Sequence, residues 1–193
     1  MRYILLFCCS LLCAGQLVAQ SSNKFEREYR TSPEEIPPTA LDFVAASGPF
    51  DKVRWYKEIS QDGTTIEAKA KRKGVRYSIE FDASGHILDV EVLTPFPKLP
   101  TGVQDSICAQ LTRTYDRFRL TRIQRQWTAP RPLSLQLLLR DGNTSQAYTE
   151  HYELVIRAHT PTGTEWYEYL FDAKGQMLRQ QRIIFRNTDN LDY

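Results

Sequence analysis

The sequence predicts an α+β fold of two tandem repeats, each a helix followed by an antiparallel β-meander, with the sheets forming one curved surface. Three observations carry this. Phe-Asp-Ala-x-Gly occurs twice, at residues 81–85 and 171–175, each time between an aromatic run and an aliphatic one. Ahead of each copy, prolines precede a stretch with apolar residues three and four apart. After that stretch the apolar period falls from about 3.6 to 2, the passage from helix to half-buried strand.

The first predicted helix lies in "EEIPPTALDFVAA", residues 34–46, and stops at Ser47-Gly48-Pro49, where glycine and proline end it. The second lies in "PKLPTGVQDSICAQL", residues 97–111. There Val103, Ile107 and Leu111 share one face, and Tyr115 and Phe118 continue it. Pro100 followed by Thr101 suits a helix start, because proline is tolerated in the first turn. Cys108 falls at helical spacing among these apolar residues and is expected as a buried thiol.

In the first meander, Ile66, Ala68 and Ala70 alternate with Glu67, Lys69 and Lys71, and Tyr77, Ile79 and Phe81 alternate with Ser78 and Glu80. In the second, Tyr152, Leu154 and Ile156 alternate with polar or smaller neighbours, followed by Tyr167, Tyr169 and Phe171. The Asp-Ala-x-Gly segments read as hairpin turns: the aspartate accepts from following N–H groups and the glycine supplies a positive φ. A calcium loop needs several more oxygen ligands than Asp-x-x-Gly offers.

From Glu34 to Pro97 is 63 positions and from Asp82 to Asp172 is 90, so the second half is longer by about 27. The excess falls around residues 127–150. Leu133, Leu135, Leu137 and Leu139 alternate there and Asp141-Gly142 signals a turn, which predicts a longer hairpin insertion. Asn143-Thr144-Ser145 matches a glycosylation sequon, a pattern common by chance. Leu178, Gln180 and Arg182 are more polar than Leu88, Val90 and Val92, as in a solvated edge strand.

Residues 1–20 read as a signal peptide: Arg2, an apolar run over residues 4–14, and Ala19 before a cleavage site. The division is then signal peptide 1–20, leader 21–33, first repeat 34–96, second repeat 97–186 and C-terminal tail 187–193. Cys8, Cys9 and Cys13 leave with the signal, so the exported chain keeps only Cys108 and has no internal disulfide. The whole chain carries 25 bases and 23 acids; without Arg2 the net charge is +1, which is no nucleic-acid footprint. No long apolar run remains to span a membrane, and the location expected is periplasmic or secreted.

At this point the pattern resembles a known family. The Leu99-Pro100 helix start, the aromatic strands, and the Phe81-Asp82/Gly85 and Phe171-Asp172/Gly175 turns are similar to the PepSY-like family of exported bacterial proteins. That family is related in fold to β-lactamase inhibitor proteins. The resemblance covers residues 34–185 in two copies and implies two helix-plus-sheet repeats, no catalytic residues, and a sheet surface that grips a partner enzyme.

The residues themselves show no catalytic constellation. His86, His151 and His159 lack zinc-site spacing, and there is no nucleophile elbow, phosphate-binding loop or dinucleotide fingerprint. No enzyme activity, cofactor or metal is expected. Aspartates and glutamates are assigned to exposed strand positions. The basic run Lys69 to Lys73 and the arginines over residues 113–131 read as solvated faces, or as contacts for an acidic partner. Aromatic pairs are the better lead: if Tyr56 or Tyr167 faces the helices, Trp55 or Trp166 faces away. The expectation is a non-enzymatic module that binds an extracytoplasmic protein through Trp55, Trp127, Trp166, Arg54 and Arg125. The alternative is a carrier holding a small apolar or anionic ligand between helix and sheet.

Overall fold

Proline sets where the helices begin. A computed structural model of the chain describes residues 22–184 apart from Asp62; the expected signal peptide and C-terminal tail lie outside the described residues. Helix α1, Pro38–Ala46, has a proline in its first turn, and α2, Thr101–Thr114, starts directly after Pro100. Helix α1 buries Ala40, Phe43 and Val44, and α2 buries Val103, Ile107 and Leu111. The helical face of α2 ends sooner than its apolar pattern: Tyr115 is extended and Phe118 already opens a strand. Cys108 is exposed, not buried, because α2 turns that position away from the face of Val103, Ile107 and Leu111.

The strands are β1 Ser22–Lys24, β2 Glu26–Thr31, β3 Lys52–Ser60, β4 Gly63–Arg72, β5 Val75–Asp82 and β6 Ile87–Leu93, then β7 Phe118–Thr128, β8 Thr149–Thr160, β9 Gly163–Asp172 and β10 Met177–Ile183. They form one ten-stranded mixed sheet in the order β1-β10-β9-β8-β7-β6-β5-β4-β3-β2. With three α-helices among the described residues the class is α+β, as expected.

The insertion is a correction. Residues 132–141 form a third helix, α3, Pro132–Asp141, and not a hairpin. The leucine run fits two periods: alternation through 133, 135, 137 and 139, and helical spacing through Leu135, Leu138 and Leu139. The helical set is the buried one, while Leu133 stays 49 % exposed. Pro132 in the first turn and Gly142 at φ 75° after the last are the helix signals that decide it.

The two hairpin turns close in the same way. Asp82 Oδ1 accepts from the N–H groups of Ser84 (2.9 Å) and His86 (3.0 Å), and Asp172 Oδ1 from those of Lys174 and Gln176 (both 2.8 Å). Gly85 sits at φ 89° and Gly175 at φ 80°. Each glycine also presses on a helix. A Cβ on Gly85 would lie 2.8 Å from Pro37 Cβ, and one on Gly175 2.7 Å from Ser106 Cβ. Glycine is required twice over at both sites, for the backbone and for the approach.

All three helices pack on one side of the sheet. One cluster joins Phe43 and Val44 of α1 and Leu135, Leu138 and Leu139 of α3 to Trp55, Ile79, Phe81 and Val90. A second joins Ile107 and Leu111 of α2 to Tyr152, Leu154, Tyr169 and Phe171. The registers Trp55↔Ala68, Ala68↔Ile79, Ile79↔Val90 and Val90↔Trp127 place the first cluster's strand residues on a single face.

The leader supplies both ends of the sheet. Strand β1 runs parallel to β10, β2 runs antiparallel to β3, and Phe25 alone separates them. The first and last strands of the sheet are therefore one continuous segment, and the sheet must curl until that segment reaches both edges. Strand β10, expected as a solvated edge, is flanked on both sides, with β9 paired along it and β1 covering its end.

Candidate functional site

The sheet face turned away from the helices departs most from expectation. The sequence predicts exposed carboxylates on these strands, yet Ser78, Glu91, Gln124, Glu153 and Glu168 are buried, Glu168 to 2 % exposure. No helix residue belongs to this side of either core cluster. What encloses it is the curl of the sheet itself. Lys24 on β1 feels the charges of Glu168 on β9, Glu153 on β8 and Glu58 on β3, strands far apart in the sheet order.

This interior is acidic. Lys24 Nζ donates to Glu168 Oε2 at 2.6 Å, and although burial works against it, Glu168 holds Lys24 above the usual lysine range. Arg122 pairs with Glu153 at 3.2 Å, and Lys69 with Glu28 at 2.6 Å. A further group has no ion pair with a base among the described residues, although Lys24 acts on Asp89 and Arg122 on Glu91 from a distance. Glu80 pairs across β5 and β6 with Asp89, and Glu91 follows Asp89 on the same face of β6. Their carboxylate oxygens lie within 4.8 Å of one another. Burial, then the neighbouring Asp89, pushes Glu80 well up; burial, then Glu153, raises Glu91 likewise and takes Asp89 to about 7. Burial also lifts Glu67 to about 7, against the pull of Lys69.

At the end of the sheet where β3 begins, the same face turns basic and exposed. Lys52 pairs with Lys71, and Lys71 with Arg76, a row of three cations across β3, β4 and β5. Arg54 lies two residues along β3 on the same face, and Arg119 faces Arg157 across β7 and β8. All are exposed. None has a carboxylate partner among the described residues, although like charges facing across strands disfavour the sheet. Beside this row is an open groove of about 590 Å³, floored by Val75, Leu93, Phe96 and Leu120 and edged by Arg76 and Arg122. Val75 is 38 % and Leu93 40 % exposed.

Of the five residues expected to bind a partner, the structure separates three from two. Trp55 and Trp127, 6 % and 7 % exposed, are buried in the helix-side core, which corrects their assignment to an open face. Trp55 packs 6.0 Å from Phe81, since Tyr56 and not Trp55 is the residue turned away from the helices. Arg125 lies 5.4 Å from the Trp127 ring and pairs with Glu150, which also accepts from Trp127 Nε1 at 2.9 Å and from Tyr152. These bonds hold Glu150 below the usual range although burial opposes them. That network fastens β7 to β8. Arg54 and the half-buried Trp166 lie on the face away from the helices, and only Arg54 belongs to the basic rim. Sequence reasoning missed Lys52, Arg76 and Leu93, although the alternation of Lys69 and Lys71 pointed to a cationic row.

No family model matches the chain, and no curated protein matches its sequence. Solved structures do share its shape. A DUF2874 family protein from Bacteroides ovatus superposes at TM-score 0.51 with 12 % identity, over 76 % of this chain and 87 % of that one. A candidate periplasmic protein from Bacteroides eggerthii also gives 0.51, with 16 % identity over 76 % and 88 %. A BLIP-like protein from Bacteroides fragilis gives 0.49, with 15 % identity over 80 % and 92 %. At these identities the likeness to the first two is one of fold. No helix among the described residues is long and apolar enough to cross a membrane.

Proposed function

We propose that the chain is an exported, non-enzymatic binding module of two PepSY-like helix-and-sheet copies, and that its partner is an acidic segment of an extracytoplasmic protein. The observation that carries this is the row Lys52, Lys71, Arg76 beside an apolar groove. Unpaired cations held against one another are costly unless something negative meets them. An apolar floor edged by arginine has the composition of a contact surface. The groove is formed by the β4–β5 turn, the β6–α2 connection and β7, so the partner sits where the first copy joins the second. The candidate periplasmic neighbour supports export, and the sheet-gripping habit of the resembled inhibitors supports a protein partner.

The carrier reading is weaker. The enclosed face carries Glu67, Glu80, Asp89 and Glu91 side by side, which would repel an anionic cargo and offer an apolar one no matching wall.

The test uses residues 21–193 as bait against extracytoplasmic proteins of the native host, beside Lys71→Glu/Arg76→Glu and Leu93→Asp variants. The reading expects a protein retained at low salt, released near 0.5 M salt and lost by both variants. Equal retention by the folded variants places the contact elsewhere.

A further inference from the structure

We propose that residues 187–193 fold back onto the basic rim and fill the apolar groove beside it, as an internal stand-in for the acidic partner. Competition between the two occupants rests on the partner reading above; the docking itself does not.

The sequence supplies the chemistry. Residues 187–193 read Asn-Thr-Asp-Asn-Leu-Asp-Tyr, with two acids, no base and two large apolar side chains. That is the complement of a rim of cations around an apolar floor. In an extended chain Leu191 and Tyr193 share one side and Asp192 takes the other.

The topology supplies the position. Each strand from β3 to β10 is antiparallel to the next, so β10 ends at the end of the sheet where β3 begins. Its last residue, Ile183, pairs with Trp166, Trp166 with Arg157, and Arg157 with Arg119. The two arginines therefore share a cross-strand row with the end of β10, roughly 10 and 14 Å away at the usual strand spacing. Both are exposed, and among the described residues neither has an ion pair with a carboxylate.

Asp189 follows Ile183 by six residues, a stretch that extends up to roughly 20 Å, so it reaches both arginines. Leu120, next to Arg119, lines the groove. Leu191 and Tyr193 then arrive where Val75 and Leu93 are exposed, and Asp192 where Arg76 forms the edge. Docking takes that apolar surface out of water and sets a carboxylate between arginines that repel one another.

The experiment puts a nitroxide label on Asn190→Cys in residues 21–193 carrying Cys108→Ser, and reads amide broadening by NMR. Cys108 is exposed, so its replacement leaves one thiol and an intact core. The proposal expects broadening concentrated at Val75, Arg76, Leu93 and Leu120, and little at Gly85 and Gly175 on the opposite end of the sheet. Asp189→Lys/Asp192→Lys, with native circular dichroism, should cut the docked-to-free ratio by about threefold or more, as loss of two exposed ion pairs allows. Broadening confined to β2, where the chain would instead prolong β10, overturns the proposal. So does a pattern that charge reversal leaves unchanged. Broadening of an isotope-labelled chain by a separate spin-labelled one also overturns it, and gives the groove to a second copy. In the capture experiment the charge-reversed chain should retain more of an acidic partner. Docking without a captured partner defeats the partner reading alone, and a captured partner without docking defeats this one alone.

Discussion

Phe81 and Glu80 are adjacent on β5, and pleating sends them to opposite sides of the sheet. Phe81 is fully buried against Phe43 and Trp55, ring centroids 5.6 and 6.0 Å away, and the helices complete its surroundings. Glu80 is enclosed as well, but among Glu67, Asp89 and Glu91, where each neighbour repels it. One face gains stability from dispersion and loss of apolar surface to water. The other takes charges out of water, and holds only where a cation, a proton or a hydrogen bond compensates. Burial is therefore no measure of stabilisation in this chain: the side of the sheet decides its sign.

The largest effect that tests this contrast is on the helix side. Phe81→Ala removes a ring from a site with no exposure and should cost about 3–5 kcal/mol in urea denaturation. A loss below about 1 kcal/mol would mean that the helices do not depend on this face.

On the acidic side, the sensitive position is a cation. Lys24→Met leaves Glu168 buried with a loose ion pair to Arg179 at 3.6 Å and the more distant charge of Arg122, and should cost about 3 kcal/mol. Adding Glu168→Gln should restore most of that loss. Because Lys24 belongs to the segment that joins both sheet edges, amide exchange in β10 should rise in the single variant and fall back in the double.

The sequence shows the helix side far better than the other. Alternation placed Ile79, Phe81, Tyr152, Leu154, Tyr169 and Phe171 inward, and each is buried at 2 % exposure or less. The same alternation sent Glu80, Glu91 and Glu153 outward. That was right in direction and wrong in environment, because period 2 says which residues share a face and nothing of whether the sheet curls over it. The curl depends on residues 22–31 pairing with β10 and β3, contacts 159 positions apart at Ser22↔Gln181, which no local pattern records. The tryptophans failed for a related reason: Trp55-Tyr56 fits either orientation, and the ring's partner Phe81 decides it. Net charge misled too, since +2 overall hides an acidic interior beside a basic rim.

Glycine substitutions separate backbone strain from approach to the helices. Gly85→Ala meets both a φ of 89° and the contact with Pro37, and should cost about 2–3 kcal/mol. Gly74→Ala has a similar φ of 83° but nothing within 4 Å, so it should cost about 1 kcal/mol by thermal unfolding. Equal losses would remove the claim that the hairpin tip is pressed against α1.

The last effect is spread along pH and is read as a slope, at most about 1.4 kcal/mol per unit for each group. Asp89 and Glu67 titrate near 7 in the folded chain, well above the ordinary carboxylate range of the unfolded one. Between about pH 4 and pH 7 the folded state then binds more protons than the unfolded, so their contribution is fully present below pH 4 and declines as pH rises through 7. In metal-free buffer the unfolding free energy should fall across that window, and Asp89→Asn should make the fall shallower by up to about 1.4 kcal/mol per pH unit, the weight of one proton. Phe81→Ala should lower the whole curve without changing its slope. If Asp89→Asn also moved only the height, the carboxylates would be solvated at both ends of the window, and the two faces of the sheet would not differ in the way their burial implies.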